Sequence, residues 1–232
     1  MNKGNNIRIL LIFSFILMIT STVFSQGKTD EQGRKQGKWI KEYSNGAILY
    51  KGQFKDDVPY GTFTYYFPTG AVKAVSVYSD HGHTVHTKTY RLNGKLLAEG
   101  KFVDKKKDST WTYYDDLTGN PILKESYRGG LKNGKSTVFF PDKGKPAEIQ
   151  HYNKGTKTGV WIKYFPNGTI LSQGTYVDDT LEGPFRINFP NGITQLSGDY
   201  YKGLQEGVWV TRDSTGVVTN KQRYHNGVPV KK

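Results

Sequence analysis

Cysteine is absent from the 232 residues and methionine nearly so, with two. Without thiols there are no disulfide staples and no thiolate-held metal, so stability has to come from packing or from a continuous ladder of hydrogen bonds. Aliphatic core formers are also thin, since hydrophobic residues make up 35% of the chain with the aromatics included. That disfavours a helical or α/β enzyme. Catalytic signatures are missing too: there is no nucleophile elbow, phosphate-binding glycine loop, His-Glu-x-x-His or Walker pattern. No enzyme activity and no cofactor are therefore expected. What the chain has instead is 27 glycines, 16 tyrosines, 12 phenylalanines and a net charge of +13. Glycine with aromatics is the composition of short strands and tight turns.

The one long apolar run, Ile9 to Ile19, follows Lys3 and Arg8 and precedes small polar residues. This is the layout of a secretory signal peptide over residues 1–25. The run falls short of the roughly 20 apolar residues of a membrane span. Val23 and Ser25 suit the −3 and −1 positions of a cleavage site, which places cleavage between Ser25 and Gln26. An uncleaved N-terminal anchor is the rival reading, and lipid anchoring through cysteine is excluded. The expected location is exported: periplasmic, outer-surface or secreted. Residues 1–25 hold two of the 33 basic residues and none of the 20 acidic ones, so the remaining chain carries +11. Such a charge favours an acidic partner.

A repeat governs everything after that. Copies begin at Gly37, Gly61, Val85, Ser109, Gly134, Gly159, Gly183 and Gly207, and fill residues 37–230. Asn45-Gly46, Asn93-Gly94, Asn167-Gly168 and Asn191-Gly192 sit between alternating segments, which predicts hairpins with type I′ turns. A second turn joins successive copies, as at Lys154-Gly155, Lys202-Gly203 and Asn226-Gly227. With Asn45-Gly46 as a two-residue loop, Tyr43 faces Ile48, Trp39 faces Gly52 and Gly37 faces Phe54. The same rule sets Trp161 against Gly174 and Phe185 against Gly198. A ring opposite a glycine can lie flat over it and shield it. An aromatic follows the turn glycine by eight residues in every copy: Phe54, Tyr78, Phe102, Tyr127, Tyr152, Tyr176, Tyr200 and Tyr224.

The Gly-x-Trp-x-x-Tyr, Asn-Gly and Gly-x-Tyr elements over Gly37 to Phe54, Gly159 to Tyr176 and Gly183 to Tyr200 resemble the bacterial variant of the MORN repeat. Copy three departs from the pattern, with Thr87 and Arg91 in aromatic positions, and copies four and five carry an extra residue before the turn. The resemblance implies an all-β fold, an elongated single-layer antiparallel sheet of tandem hairpins with sixteen strands. It also implies antitoxin-like relatives, protein assembly and contact with acidic phospholipids. Residues 26–36 resemble half a repeat and are expected to cap the N-terminal edge, and Lys231-Lys232 form a basic tail.

The candidate binding residues are Trp39, Phe63, Trp111, Trp161, Phe185, Trp209, Tyr176 and Tyr200. They form either the core of the sheet or a groove that stacks on sugars or grips a peptide. His81, His83 and His86 are a weak metal candidate against a solvated connecting loop, and no metal site is expected. Asp56-Asp57, Asp115-Asp116 and Asp178-Asp179 read as turn chemistry. Lys105-Lys106-Lys107 reads as a solvated loop. The expected role is an extracytoplasmic scaffold for another protein or an envelope component. Anionic lipid or glycan binding is the alternative, self-association of ribbons stays open, and no specific nucleic acid is expected.

Overall fold

The computed structural model describes residues 26–231, and the signal peptide expected over residues 1–25 lies outside the described residues. Nineteen strands, from β1 (Gln26–Thr29) to β19 (Val228–Pro229), form one antiparallel sheet in which chain neighbours are sheet neighbours. Seventeen of them make the sixteen expected hairpin arms, because the first arm of copy seven is split into Thr180–Leu181 and Gly183–Asn188. A short strand lies at each end. At about 4.8 Å per strand the sheet runs for roughly 80 Å.

The two turn signals exchange roles relative to the expectation. At Asn45-Gly46 the loop has three residues, with Tyr43 N–H donating to the Ala47 carbonyl at 2.7 Å and Gly46 N–H to the Tyr43 carbonyl at 3.0 Å. Gly46 alone is left-handed, at φ 81°, while Asn45 stays in the ordinary region. This is a type I turn closed by a glycine bulge. The asparagine serves through its side chain, whose Oδ1 accepts the Ala47 N–H at 3.1 Å. Glu42, not Tyr43, therefore faces Ile48. A register shift beside Lys41 absorbs the extra loop residue, so Trp39 opposite Gly52 and Gly37 opposite Phe54 stand as expected. True type I′ pairs join the copies instead, with both central residues left-handed at Asp56-Asp57, Asp104-Lys105 and Lys154-Gly155.

One residue from each arm builds a spine along the middle of one face. The spine partners within copies are Trp39–Gly52, Phe63–Ser76, Thr87–Gly100 and Trp111–Glu125. They continue as Ser136–Gln150, Trp161–Gly174, Phe185–Gly198 and Trp209–Gln222. The core is this line: Trp39, Phe63, Trp111 and Trp209 are buried, yet no large side chain among the described residues falls below 2% exposure.

Within a hairpin the ring faces a glycine, as expected, but it lies over a different one. A Cβ on Gly52 would overlap the ring of Phe63, one on Gly100 that of Trp111, and one on Gly198 that of Trp209. The Trp39 ring likewise lies over Gly27 of β1. Wherever a copy has a spine glycine, the ring of the next copy covers it. A bulge produces the offset. Lys51 pairs with Thr64 and Gln53 with Tyr60, which leaves Gly61, Thr62 and Phe63 against Gly52 alone. Gly61 opens that bulge in the left-handed region, at φ 65°. Copy four puts Ser109 there at φ 58°.

Overpacking of this kind costs about 1–3 kcal/mol. Gly100→Ala and Gly198→Ala are each expected to destabilise by that amount in urea unfolding. Gly174→Ala should be milder, because its nearest ring atom, on Phe185, stands 3.1 Å away. Ser109→Gly relieves a left-handed serine and should raise stability by about 1 kcal/mol in the same assay.

Candidate functional site

Four of the eight candidate aromatics, Trp39, Phe63, Trp111 and Trp209, are buried in the spine, and Trp161, Phe185, Tyr176 and Tyr200 are half-buried. Their faces and edges are largely taken up by the sheet. Phe63 meets Phe54 edge-on at 5.2 Å and Tyr78 at 4.9 Å, and Trp209 meets Tyr200 at 5.1 Å. Indole N–H groups donate inward, Trp111 to the Lys101 carbonyl at 3.0 Å and Trp209 to the Asp199 carbonyl at 3.2 Å. The stripe is therefore mainly core, and the open-groove alternative loses most of its free aromatic surface. Trp161 is the exception, since it faces Gln150 of the preceding copy instead of a glycine. It stays half-buried, with its N–H on Glu148 Oε1 at 2.6 Å.

Two copies lack the ring, and in both the preceding spine glycine is also replaced. Thr87 pairs with Ser76 through a buried hydroxyl contact of 2.8 Å. Ser136 pairs with Glu125, whose carboxylate takes the Lys132 ammonium at 2.5 Å and the Tyr127 hydroxyl at 2.6 Å. Burial pushes the Glu125 carboxyl up, but the Lys132 and Tyr127 contacts outweigh it and leave it below the usual glutamate range. Lys132 also lies 5.1 Å from the Tyr152 ring centre. Polar chemistry thus fills the space of the ring in copy five.

The three histidines do not converge. His83 Nδ1 contacts Asp104 Oδ1 at 2.5 Å, which holds that imidazole above its ordinary pKa. His86 points to the opposite face between Val77 and Lys101, and His81 sits in the Asp80–Gly82 turn. Among the described residues no three His, Cys, Asp or Glu side chains are grouped to hold a metal. The aspartate pairs are turn residues: Asp57 Oδ1 accepts the Lys35 N–H at 2.9 Å, Asp179 Oδ1 the Lys157 N–H at 2.8 Å, and Asp115 Oδ1 the Thr118 N–H at 2.8 Å.

The reverse face is the feature that sequence reasoning missed. Residues that alternate with the spine include Lys38, Lys51, Lys88, Lys101, Lys124, Lys135, Arg186, Lys221 and Arg223. The carboxylates at the corresponding positions are Glu99 and Asp199. Glu99 meets Lys88 at 3.5 Å and accepts the Tyr114 hydroxyl. Between the cations lie β-branched residues such as Val75, Val77, Ile149 and Val208. Strand alternation around the spine was the available signal, and it needs only the register to be read.

Replacing Glu125 tests how copy five is held. Its depressed pKa means its stabilisation is present above the unfolded glutamate value and is lost as pH falls through the lower folded value. Glu125→Gln should lower stability by about 1–3 kcal/mol at neutral pH, with the gap to the parent closing below about pH 4. Urea midpoints across pH check both.

Residues 35–56 and 157–178 match the MORN repeat variant family. The matched segments are copies one and six, each a hairpin with its repeat-start glycine against the aromatic, Gly37 with Phe54 and Gly159 with Tyr176. A comparison with curated proteins gives no match. With the family pattern matched in two copies and the same hairpin register running through the others, the findings support a MORN-repeat protein.

Proposed function

We propose that the protein is a non-enzymatic, exported binding scaffold whose reverse sheet face engages an extended acidic surface of a cell-envelope component. The observation that carries this reading is the charge flanking the spine on that face, nine lysines and arginines against Glu99 and Asp199, with Asp108 beside Lys101 at 3.4 Å and Glu206 opposite Asp199 as further carboxylates there. A flat cationic strip attracts a distributed negative surface better than a compact ligand, because many weak, screened contacts add along its length. The same charge opposes pairing of two ribbons through their reverse faces. Glycan stacking on the aromatic stripe draws little support, since most of the rings are used internally. An antitoxin-like role would be the special case in which the acidic partner is a protein. Export rests on the pattern of residues 1–25.

Vesicles containing phosphatidylglycerol should co-sediment with residues 26–232 at about 0.1 M salt and release the protein near 0.5 M, while neutral vesicles should not bind. A double reversal, Lys124→Glu with Lys135→Glu, should weaken retention at least tenfold, on the order of 1 kcal/mol for each cation removed near the surface. Salt-insensitive retention, or equal retention by neutral vesicles, would count against an electrostatic face.

A further inference from the structure

Copy three leaves a space that the other copies fill. Phe63 is sandwiched edge-on between the aromatic of the preceding copy and that of its own, Phe54 and Tyr78, and Trp209 likewise between Tyr200 and Tyr224. At copy three the two flanking aromatics, Tyr78 and Phe102, are both present, but the residue between them is Thr87. A cavity of about 920 Å³ opens there, with Tyr78 and Phe102 among its walls, Ala74 and Ser76 in its floor, and the His81–His83 turn and Asp104 at its rim. That is the size of a pocket for a small organic ligand. Copy five shows the contrast, because there the Lys132–Glu125 pair occupies the region of the missing ring.

The local backbone is adapted to the vacancy. Thr87 pairs directly with Ser76, with no bulge, and Val85 takes the usual glycine position and lines the cavity. The connection between copies two and three is also the irregular one. Its Asp80–Gly82 turn folds against Val58 and Pro59, which form a further wall. Ser76 lies in the floor, and its hydroxyl contacts that of the buried Thr87, whose Oγ1 approaches the Val75 carbonyl at 3.4 Å. The Ser76 hydroxyl oxygen has two lone pairs, so it retains capacity to accept a hydrogen bond from a ligand N–H or O–H. Tyr65 and Tyr78 close one side through a 2.9 Å hydroxyl contact.

We propose that this cavity is a binding site for a small aromatic molecule of the indole or phenol class, whose ring takes the place of the missing side chain between Tyr78 and Phe102. Its N–H or O–H faces the Ser76 hydroxyl. The site lies on the ring face and is independent of the cationic reverse face.

The test uses indole and phenol as probes in saturation-transfer NMR with residues 26–232. Saturable binding is expected, with a Kd on the order of 1 mM for ligands so small. The double variant Ser76→Gly with Thr87→Trp puts a side-chain ring back between Tyr78 and Phe102 and should abolish binding. Phe102→Leu removes one edge-on wall and should weaken binding about 3- to 10-fold. Absence of saturable binding by the parent, or unchanged binding in the double variant, would overturn the proposal. Should the double variant not fold, Phe102→Leu decides, and an unchanged Kd there overturns it.

Discussion

The contact between the spine residues of successive copies, a ring over a glycine at Gly52, Gly100, Gly174 and Gly198, is what the rest of the structure depends on. A single hairpin has no second layer to bury its aromatic, and a two-stranded unit is marginal in water. The bulge at the repeat start sends the ring of Phe63 back over Gly52, and that of Trp209 back over Gly198, so each copy completes the core of its neighbour. The chain is therefore stabilised by its interfaces between copies, as expected of a one-dimensional array. Both margins repeat this coupling on a smaller scale. Connecting turns bond backward, as Gly203 N–H does to the Leu181 carbonyl at 3.0 Å, and hairpin loops bond across, as Asn191 Nδ2 does to the Ser214 carbonyl at 2.9 Å.

Most of the architecture was legible in the sequence, because glycine, Asn-Gly turns and the invariant aromatic repeat at fixed spacing. The direct partners Trp39–Gly52, Trp161–Gly174 and Phe185–Gly198 follow from that spacing alone. Which glycine each ring covers did not follow, since a pairing rule assumes regular strands and the bulge adds two residues to one side. The clue was nevertheless present in the departures from the pattern. Where the ring becomes Thr87, the partner within the same hairpin is still a glycine, Gly100, whereas Ser136 faces Gln150. What both have in common is a replaced spine glycine in the preceding copy, Ser76 and Glu125. The Asn-Gly turns were misread for a related reason: the motif serves a type I′ turn and a glycine-bulged type I turn equally well, and only the φ of the asparagine separates them.

The two faces differ in what they leave free, for the same physical reason. Rings committed to glycines leave the spine face with little free aromatic surface, except at copy three, where Thr87 withdraws the ring and a cavity appears. The reverse face carries no structural burden beyond strand propensity, so its side chains are free to hold charge. Lysines at Lys38, Lys51, Lys124 and Lys135 sit among β-branched residues that keep the strands regular. A sheet one layer thick thus separates a face that holds the copies together from a face available to a partner.

A double-mutant cycle on Gly52 tests the central claim most directly, because Gly52 faces Trp39 within its hairpin and lies beneath Phe63 of the next copy. Gly52→Ala should be strongly destabilising alone, and most of that loss should vanish in a Phe63→Ala background, with a coupling of about 1 kcal/mol or more. In a Trp39→Ala background the loss should persist, with the two effects additive to within about 0.5 kcal/mol. Coupling to Trp39 with additivity to Phe63 would contradict the account and return the ring-over-glycine contact to the interior of a single hairpin.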